Sequence, residues 1–293
     1  MKPAPVLMQS ARNGVAALAQ RLASGDRVLV LTGAGCSTGS GIPDYRDSRG
    51  AWKRKPPVQL RDFLRSPRQR RRYWARSMLG WPLVARARPG AAHRALAELE
   101  AAGSVAHLIT QNVDRLHQRA GHRAVTDLHG RLDQVACLEC GALWARDQVQ
   151  GWLEHQNPEW LRFSAGDAPD GDADLDHVDF DAFRVPDCPS CGGLLKPAVV
   201  FFGETVPKSV VESSFQCLDR ADALLVVGSS LMVWSGYRFV RRAAEQGKPV
   251  FIVNRGHSRG EREARLVVDG DCGQVLPALA RQLGLSGAEP VHD

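Results

Sequence analysis

No stretch of this sequence approaches the roughly 20 consecutive apolar residues that span a bilayer, so a transmembrane helix is excluded. The first 26 residues also lack the apolar segment and cleavage pattern of a secretory leader. They carry no acid before Asp26, which leaves an organelle-targeting leader as the weaker reading. The stronger one is an opening helix whose Val15, Leu18, Ala19 and Leu22 share one face. There is no internal repeat, no helix-turn-helix pattern and no RNA-binding signature. The seven cysteines are odd in number, and four of them form two C-x-x-C pairs. With no leader, that usage excludes a disulfide framework and points to a reducing compartment and a bound metal. A compact cytoplasmic protein is expected, at home neither in a membrane nor on nucleic acid.

Charge of one sign is missing locally, not globally. The net charge is +6, but residues 49–94 are crowded with arginine and residues 167–181 hold seven aspartates. The basic stretch reads as a solvated helical face; attraction for nucleic acid or acidic protein is the weaker alternative. Asp170, Asp172, Asp174 and Asp181 fall at calcium-loop positions one, three, five and twelve. Leu175 stands where the turn glycine is needed, so a solvated acidic loop is expected there.

Short aliphatic runs alternate with helical patterns. Strands are expected at 27–32, 105–110, 124–130, 221–230 and 248–254, and helices at 92–103, 233–247 and 272–285. This alternation predicts an α/β fold, a Rossmann-like parallel sheet with helices on both faces. Ligands of such sheets lie outside the carboxyl ends of the strands. The tails "TGAGCS", "TQNVD", "LHG", "VGSS" and "VNRG" would gather there. Two segments break the alternation: a helical insertion at about 48–90, and a cysteine-bearing module at 131–197. The expected division is a large domain, 1–130 with 198–293, and a small zinc-binding domain, 131–197.

Cys137 and Cys140 pair with Cys188 and Cys191, and each pair is followed by glycine. Two such knuckles make a tetrahedral four-thiolate zinc site with no open position, hence structural. A nucleic-acid-binding zinc ribbon stays open from the pairs alone.

The loop "LTGAGCSTGSGIPDYRD" (31–47) begins like a dinucleotide fingerprint but lacks its third glycine, since position 38 is Thr38. Gly33 and Gly35 let the backbone approach phosphates. Pro43 blocks a regular helix, so the loop is expected to fold over its ligand and set Asp44, Tyr45 and Arg46 above it. No acidic residue ends a second strand about twenty residues on, as a dehydrogenase requires. Past the next strand, Gln111, Asn112 and Asp114 can bind an amide or a ribose hydroxyl, while Asn112 or Asp114 can equally cap a helix. His129, at a strand end, is a candidate general base.

Taken together, "GAGCSTGSGIPDYR", "TQNVDRLH", "HG" at 129–130, the two C-x-x-C pairs, "KPAVVFFGE", "VGSSLMV" and "VNRG" closely resemble the sirtuin family of NAD-dependent protein lysine deacylases. They run in that family's order over about residues 14–284. "RRRYWARSMLGWP" and the acidic insert look like its class II subgroup. The resemblance implies NAD as co-substrate and one structural zinc. Gly33, Ala34, Gly35 and Ser37 would meet the phosphates, and Ser229, Asn254 and Cys272 the adenosine half. Asp44, Gln111, Asn112 and Asp114 would surround the nicotinamide ribose. Ile42, Pro43, Tyr45, Arg46, Val113, Gly228, Ser230, Arg255 and Gly256 complete the implied NAD site. His129 and Asn112 would be catalytic. Val200, Phe201, Phe202, Gly203 and Glu204, with Leu231 and Val233, would hold an acyl-lysine peptide as an added strand. Nicotinamide would depart, the acyl oxygen capture C1′, and His129 accept a ribose-hydroxyl proton. The products would be free lysine and O-acyl-ADP-ribose. Mono-ADP-ribosyl transfer and a preference for longer or acidic acyl groups are the alternatives; Tyr73 and Arg76 have the Tyr-x-x-Arg spacing associated with acidic acyl recognition.

Overall fold

A computed structural model describes residues 7–47, 49–53, 57–163 and 179–286. Most of the acidic run, with Asp170, Asp172 and Asp174, lies outside them. Among the described residues no helix is long and apolar enough to cross a membrane.

The main sheet contains β1 (Leu7–Ser10), β2 (Val28–Thr32), β3 (Val105–Thr110), β4 (Val125–Asp127), β8 (Ala223–Val227), β9 (Val250–Asn254) and β10 (Leu266–Asp269). All pairs are parallel, in the order β1-β10-β9-β8-β2-β3-β4. The three central five-residue strands β2, β8 and β9 are buried along their whole length. Their near-continuous aliphatic sequences suit a sheet covered on both faces. Alternation then assigns each residue a side. Val28 and Val30 pack with α1 (Ala11–Ala23), α4 (Ala91–Ala101) and α9 (Cys272–Gln282). Leu29 and Leu31 pack with α7 (Lys208–Arg220) and α8 (Trp234–Glu245). Val15, Leu18, Ala19 and Leu22 of α1 are all buried, as their spacing requires.

The chain runs outward from β2 to β3 and β4, then returns to the other flank of β2 with β8. The order therefore reverses between β2 and β8, and a crevice opens at their carboxyl ends. The loops leaving these two strands are pressed together there: the Gly35 amide donates to the Gly228 carbonyl at 2.9 Å. Gly228 has φ of 59°, and a Cβ on it would lie 2.5 Å from the Cys36 nitrogen. Gly33 is equally confined: a Cβ on it would lie 2.8 Å from the Gly228 carbonyl oxygen. These glycines thus serve the approach of one loop to another as well as to any ligand.

The third expected strand stops early. β4 ends at Asp127, and Gly130 begins a second, antiparallel sheet of β6 (Leu143–Ala145), β5 (Gly130–Cys137) and β7 (Leu195–Val199). The helical insertion is present as α2 (Leu60–Arg65) and α3 (Pro67–Arg86), and it packs on this small sheet. Phe63, Trp74, Ala75 and Met78 share one core with Val135, with Val149 and Leu153 of α6 (Arg146–Gln156), and with Leu195. Arg146 joins α3 to α6. Its fully buried guanidinium lies 5.1 Å from the Trp81 ring centre and donates to the Gln150 amide oxygen and the Ser77 carbonyl. Burial pushes its pKa down to about 10, which still leaves it charged at neutral pH.

Candidate active site and metal centre

The two cysteine knuckles close in the same way. Gly141 and Gly192, both at positive φ, donate to the carbonyls of Cys137 and Cys188. The four Sγ atoms lie within 4.8 Å of one another, with Cys137–Cys191 at 3.5 Å and Cys140–Cys188 at 3.8 Å. A tetrahedron with zinc–sulfur distances of about 2.3 Å has edges of about 3.8 Å, so the donor set fits one zinc ion with every position filled by sulfur.

Cys36, His93 and His117 also bring ligand atoms within 4.8 Å of one another. The His93 Nδ1 accepts the Gly90 amide proton at 3.1 Å, so Nε2 carries the ring proton and faces the Ser37 hydroxyl. It offers no lone pair to a metal there. The three buried imidazoles His93, His117 and His122 instead pack tilted and edge-on to one another, with ring centres 4.7 and 5.4 Å apart. Burial lowers all three pKa values, that of His93 to about 3. Above pH 6.5 these rings are neutral in folded and unfolded chains alike. Below it the unfolded chain takes protons that the folded one refuses, so stability falls with pH until the folded value is reached. His93 alone is expected to remove about 2 kcal/mol between pH 6.5 and 5. Urea unfolding at stepped pH checks this: a His93→Gln chain should show a shallower decline, and an equal slope would refute the assignment.

The crevice at the strand tails is a cavity of about 860 Å³. Of the residues expected at the NAD and peptide sites, all line it except Gly256. Gly256 instead closes the turn after β9: its amide donates to Asp269 and its carbonyl accepts from the Asn254 side chain. Tyr73 reaches the wall, but Arg76 does not, so the Tyr-x-x-Arg spacing does not bring its arginine to the cavity.

His129 occupies the gap between β4 and β5. Its Nδ1–H donates to the Gln111 carbonyl at 2.9 Å, which leaves Nε2 as the basic nitrogen, and the Ser235 hydroxyl donates to it at 2.7 Å. Burial pulls its pKa below the usual imidazole value, the Gln111 contact opposes this, and the charge of Arg238 adds to it. The ring is therefore an unprotonated base at neutral pH.

Asn112 is fixed at both ends. Its side-chain amide donates to the Gly33 carbonyl and to the Ser37 hydroxyl, both at 3.0 Å, and its backbone amide donates to the Thr110 hydroxyl. Behind Thr110 stand the Thr32 hydroxyl and the His117 Nε2, each linked at 2.9 Å. Both Nδ2 protons are engaged, so Oδ1 is the atom left for a ligand or a water. Ser37 in turn donates to the Asp114 carboxylate at 2.6 Å, while burial raises that carboxyl's pKa. Asp114 also accepts from the Leu116 amide, which ties it to the first residue of α5 (Leu116–Arg119), whose N-cap position is Arg115. Gln111 stitches three tails together by donating to the Thr32 carbonyl and the Ser229 hydroxyl.

The loop after Pro43 folds back on itself. Arg46 lies over the Trp52 ring at 3.9 Å and donates to the Gly50 carbonyl, and Lys53 pairs with Asp44. Trp52 meets Phe202 edge-on at 5.5 Å, which links this flap to the 200–204 loop across the cavity. On the opposite side, the Cys272 thiol donates to the Gly35 carbonyl at 3.0 Å, and Asp271 caps α9 and pairs with Arg255. Ser235, Arg238, Thr32, Thr110 and Trp52 were not singled out by sequence patterning. Only their convergence on Asn112, His129 and the flap exposes them.

Comparison with known proteins agrees with this geometry. The Sir2 family model matches residues 33–235. The chain is 54% identical over 279 residues to the NAD-dependent protein deacetylase 2 of Bradyrhizobium diazoefficiens, covering 95% of this chain and 100% of the relative. It is 54% identical over 269 residues to the NAD-dependent protein deacetylase of Bordetella bronchiseptica, covering 92% and 98%. Among solved structures, a Sir2 homologue–NAD complex is 28% identical with a TM-score of 0.71, covering 93% of this chain and 95% of that one. A Sir2–p53 peptide–NAD+ complex is 30% identical with a TM-score of 0.70, covering 90% and 97%. The chain belongs to the Sir2 family.

Proposed function

We infer that this protein is an NAD-dependent protein deacetylase that removes the acyl group of acyl-lysine and transfers it to ADP-ribose. The observation that carries the reading is the basic Nε2 of His129 facing the same cavity as the fixed Asn112 amide. NAD supplies an activated glycosidic carbon, released when nicotinamide leaves. Gly33, Ala34 and Gly35 are assigned to its phosphates, and Asn112, Asp114 and Gln111 to the nicotinamide ribose. The Asn112 Oδ1 orients a hydroxyl or water, and the His129 Nε2 takes the ribose-hydroxyl proton. The flap carrying Tyr45, Arg46 and Trp52 excludes water from a cation-like centre. The loop 200–204 and Leu231–Val233 are the two edges between which the substrate peptide pairs.

The division into a large domain (1–130, 198–293) and a zinc domain (131–197) accompanies this reading, with the helical insertion packed on the latter. Class II-type membership and a cytoplasmic setting are inferred with it. The test is mass spectrometry of purified protein with NAD and an acetyl-lysine peptide. Deacetylation yields nicotinamide and O-acetyl-ADP-ribose in equal amounts. ADP-ribose attached to protein, with the acetyl group untouched, would show a transferase instead.

A further inference from the structure

Among the described residues Arg238 is a cation without a counter-charge. It lies on α8, one turn beyond Ser235, and forms part of the cavity wall. Among the described residues it makes no hydrogen bond or ion pair, and its Nε is buried without a partner. The other strong cations of the wall are engaged: Lys53 with Asp44, Arg46 with Trp52 and the Gly50 carbonyl, and Arg255 with Asp271. The wall's carboxylates are engaged too. Beyond Asp44 and Asp271, Asp47 accepts two backbone amides, Asp114 accepts from Ser37 and Leu116, and Glu204 accepts from Lys196 and the Phe201 amide. No acid of the cavity wall is left to pair with Arg238, so a counter-charge for it would come from a bound ligand.

The position of α8 narrows what that ligand is. The helix is packed hard against the strand tails: a Cβ on Gly236 would lie 2.5 Å from the Gln111 side-chain oxygen. Ser235 meets His129, and Arg238 is close enough to depress that base. Four residues before Arg238, Trp234 is half exposed in the wall, directly after the Leu231–Val233 edge assigned to the peptide. Arg238 thus shares a wall with the peptide edge on one side and the base on the other. The phosphates of NAD have their own donors at the β2 tail. A guanidinium fork matches a planar carboxylate with two parallel hydrogen bonds.

We propose that Arg238 recognises a carboxylate carried by the acyl-lysine substrate, either at the end of the acyl chain or on a neighbouring peptide side chain. This rests on the deacetylase reading. Pairing also neutralises the positive charge beside His129, so a carboxylate-bearing substrate makes the base easier to protonate and shifts the acidic limb of the rate profile upward.

The experiment compares isosteric pairs in a neutral peptide: succinyl-lysine against its terminal amide, and acetyl-lysine flanked by aspartate against asparagine. Nicotinamide release is read for the wild-type chain, Arg238→Gln and Arg238→Lys. The wild type is expected to favour one carboxylate member by about 10-fold or more in kcat/KM. Glutamine should bring that ratio close to one, and lysine should restore part of it. The arm that shows the preference names the source of the carboxylate. Ratios near one in both wild-type arms overturn the proposal whatever the variants do, as does a wild-type preference that survives Arg238→Gln. If the wild type releases no nicotinamide even with acetyl-lysine, the deacetylase reading fails, and this inference falls with it.

Discussion

Replacing His129 by alanine is expected to lower kcat for deacetylation by about 10²–10⁴-fold. The dissociation constant for NAD should stay within about threefold, because the change removes an interaction made in the transition state. The structure separates these effects. The His129 side chain touches the Gln111 carbonyl and the Ser235 hydroxyl, and neither contact belongs to the glycine loop expected to hold the phosphates. The main-chain link at this position is the Val200 amide donating to the His129 carbonyl at 2.8 Å, and alanine keeps it. Truncation does leave the Ser235 hydroxyl without its acceptor, at a cost of about 1–3 kcal/mol if water does not replace the ring. Stopped-time product analysis and calorimetric NAD titration measure the two quantities. A folded alanine variant with lost NAD affinity would falsify a purely catalytic role, and one with undiminished turnover would remove His129 from the chemistry altogether.

Removing the zinc is expected to cost the activity and the small sheet together. Structural zinc sites of this type contribute apparent binding free energies of about 10–16 kcal/mol, comparable to the stability of a whole domain. Cys137 and Leu195 are register partners on β5 and β7, and the Glu139 carboxylate joins the two knuckles by accepting the Leu194 amide at 2.6 Å. The same two strands lead directly to His129 and to the 200–204 loop. Loss of the metal is therefore expected to free the proposed base and one of the proposed peptide edges at once. Cys137→Ser or Cys188→Ser should give a chain with less than one zinc, early thermal unfolding and no deacetylation. A zinc-free chain that keeps native thermal behaviour and turnover would rule out a structural metal.

Legibility in the sequence followed burial. β2, β8 and β9 are aliphatic from end to end because both faces are covered, and their patterns place them within a few residues. β1 and β10 are four-residue strands at one margin of the sheet, too short to show a period. The pattern carries β4 three residues too far. Leu128 is buried like a strand residue, yet the chain leaves the main sheet at Asp127, and the turn at Gly130, with φ of 78°, is invisible to hydropathy. The cysteine spacing could be read directly, since sulfur chemistry allows few alternatives, and Pro43 signalled that no regular helix follows the glycine loop. The roles of Thr32, Thr110, Ser235 and Arg238 could not. Each sits in a regular strand or helix whose pattern does not set it apart, and its meaning lies in partners far away in the chain. The glycines were half legible: their number signals close approach, but that they approach one another is a fact of the folded crevice.

The chain crosses between its two sheets at His129–Gly130 on the way out and at Val199–Val200 on the way back, and these crossings are paired to each other. A door moves least at its hinge line. Any swing of the small sheet about this doubled crossing displaces the zinc knuckles most and His129 hardly at all. Cleft width can then vary while the His129 ring keeps its place beside the Gln111 carbonyl, so the proposed base would stay aligned with the strand tails as the smaller half shifts.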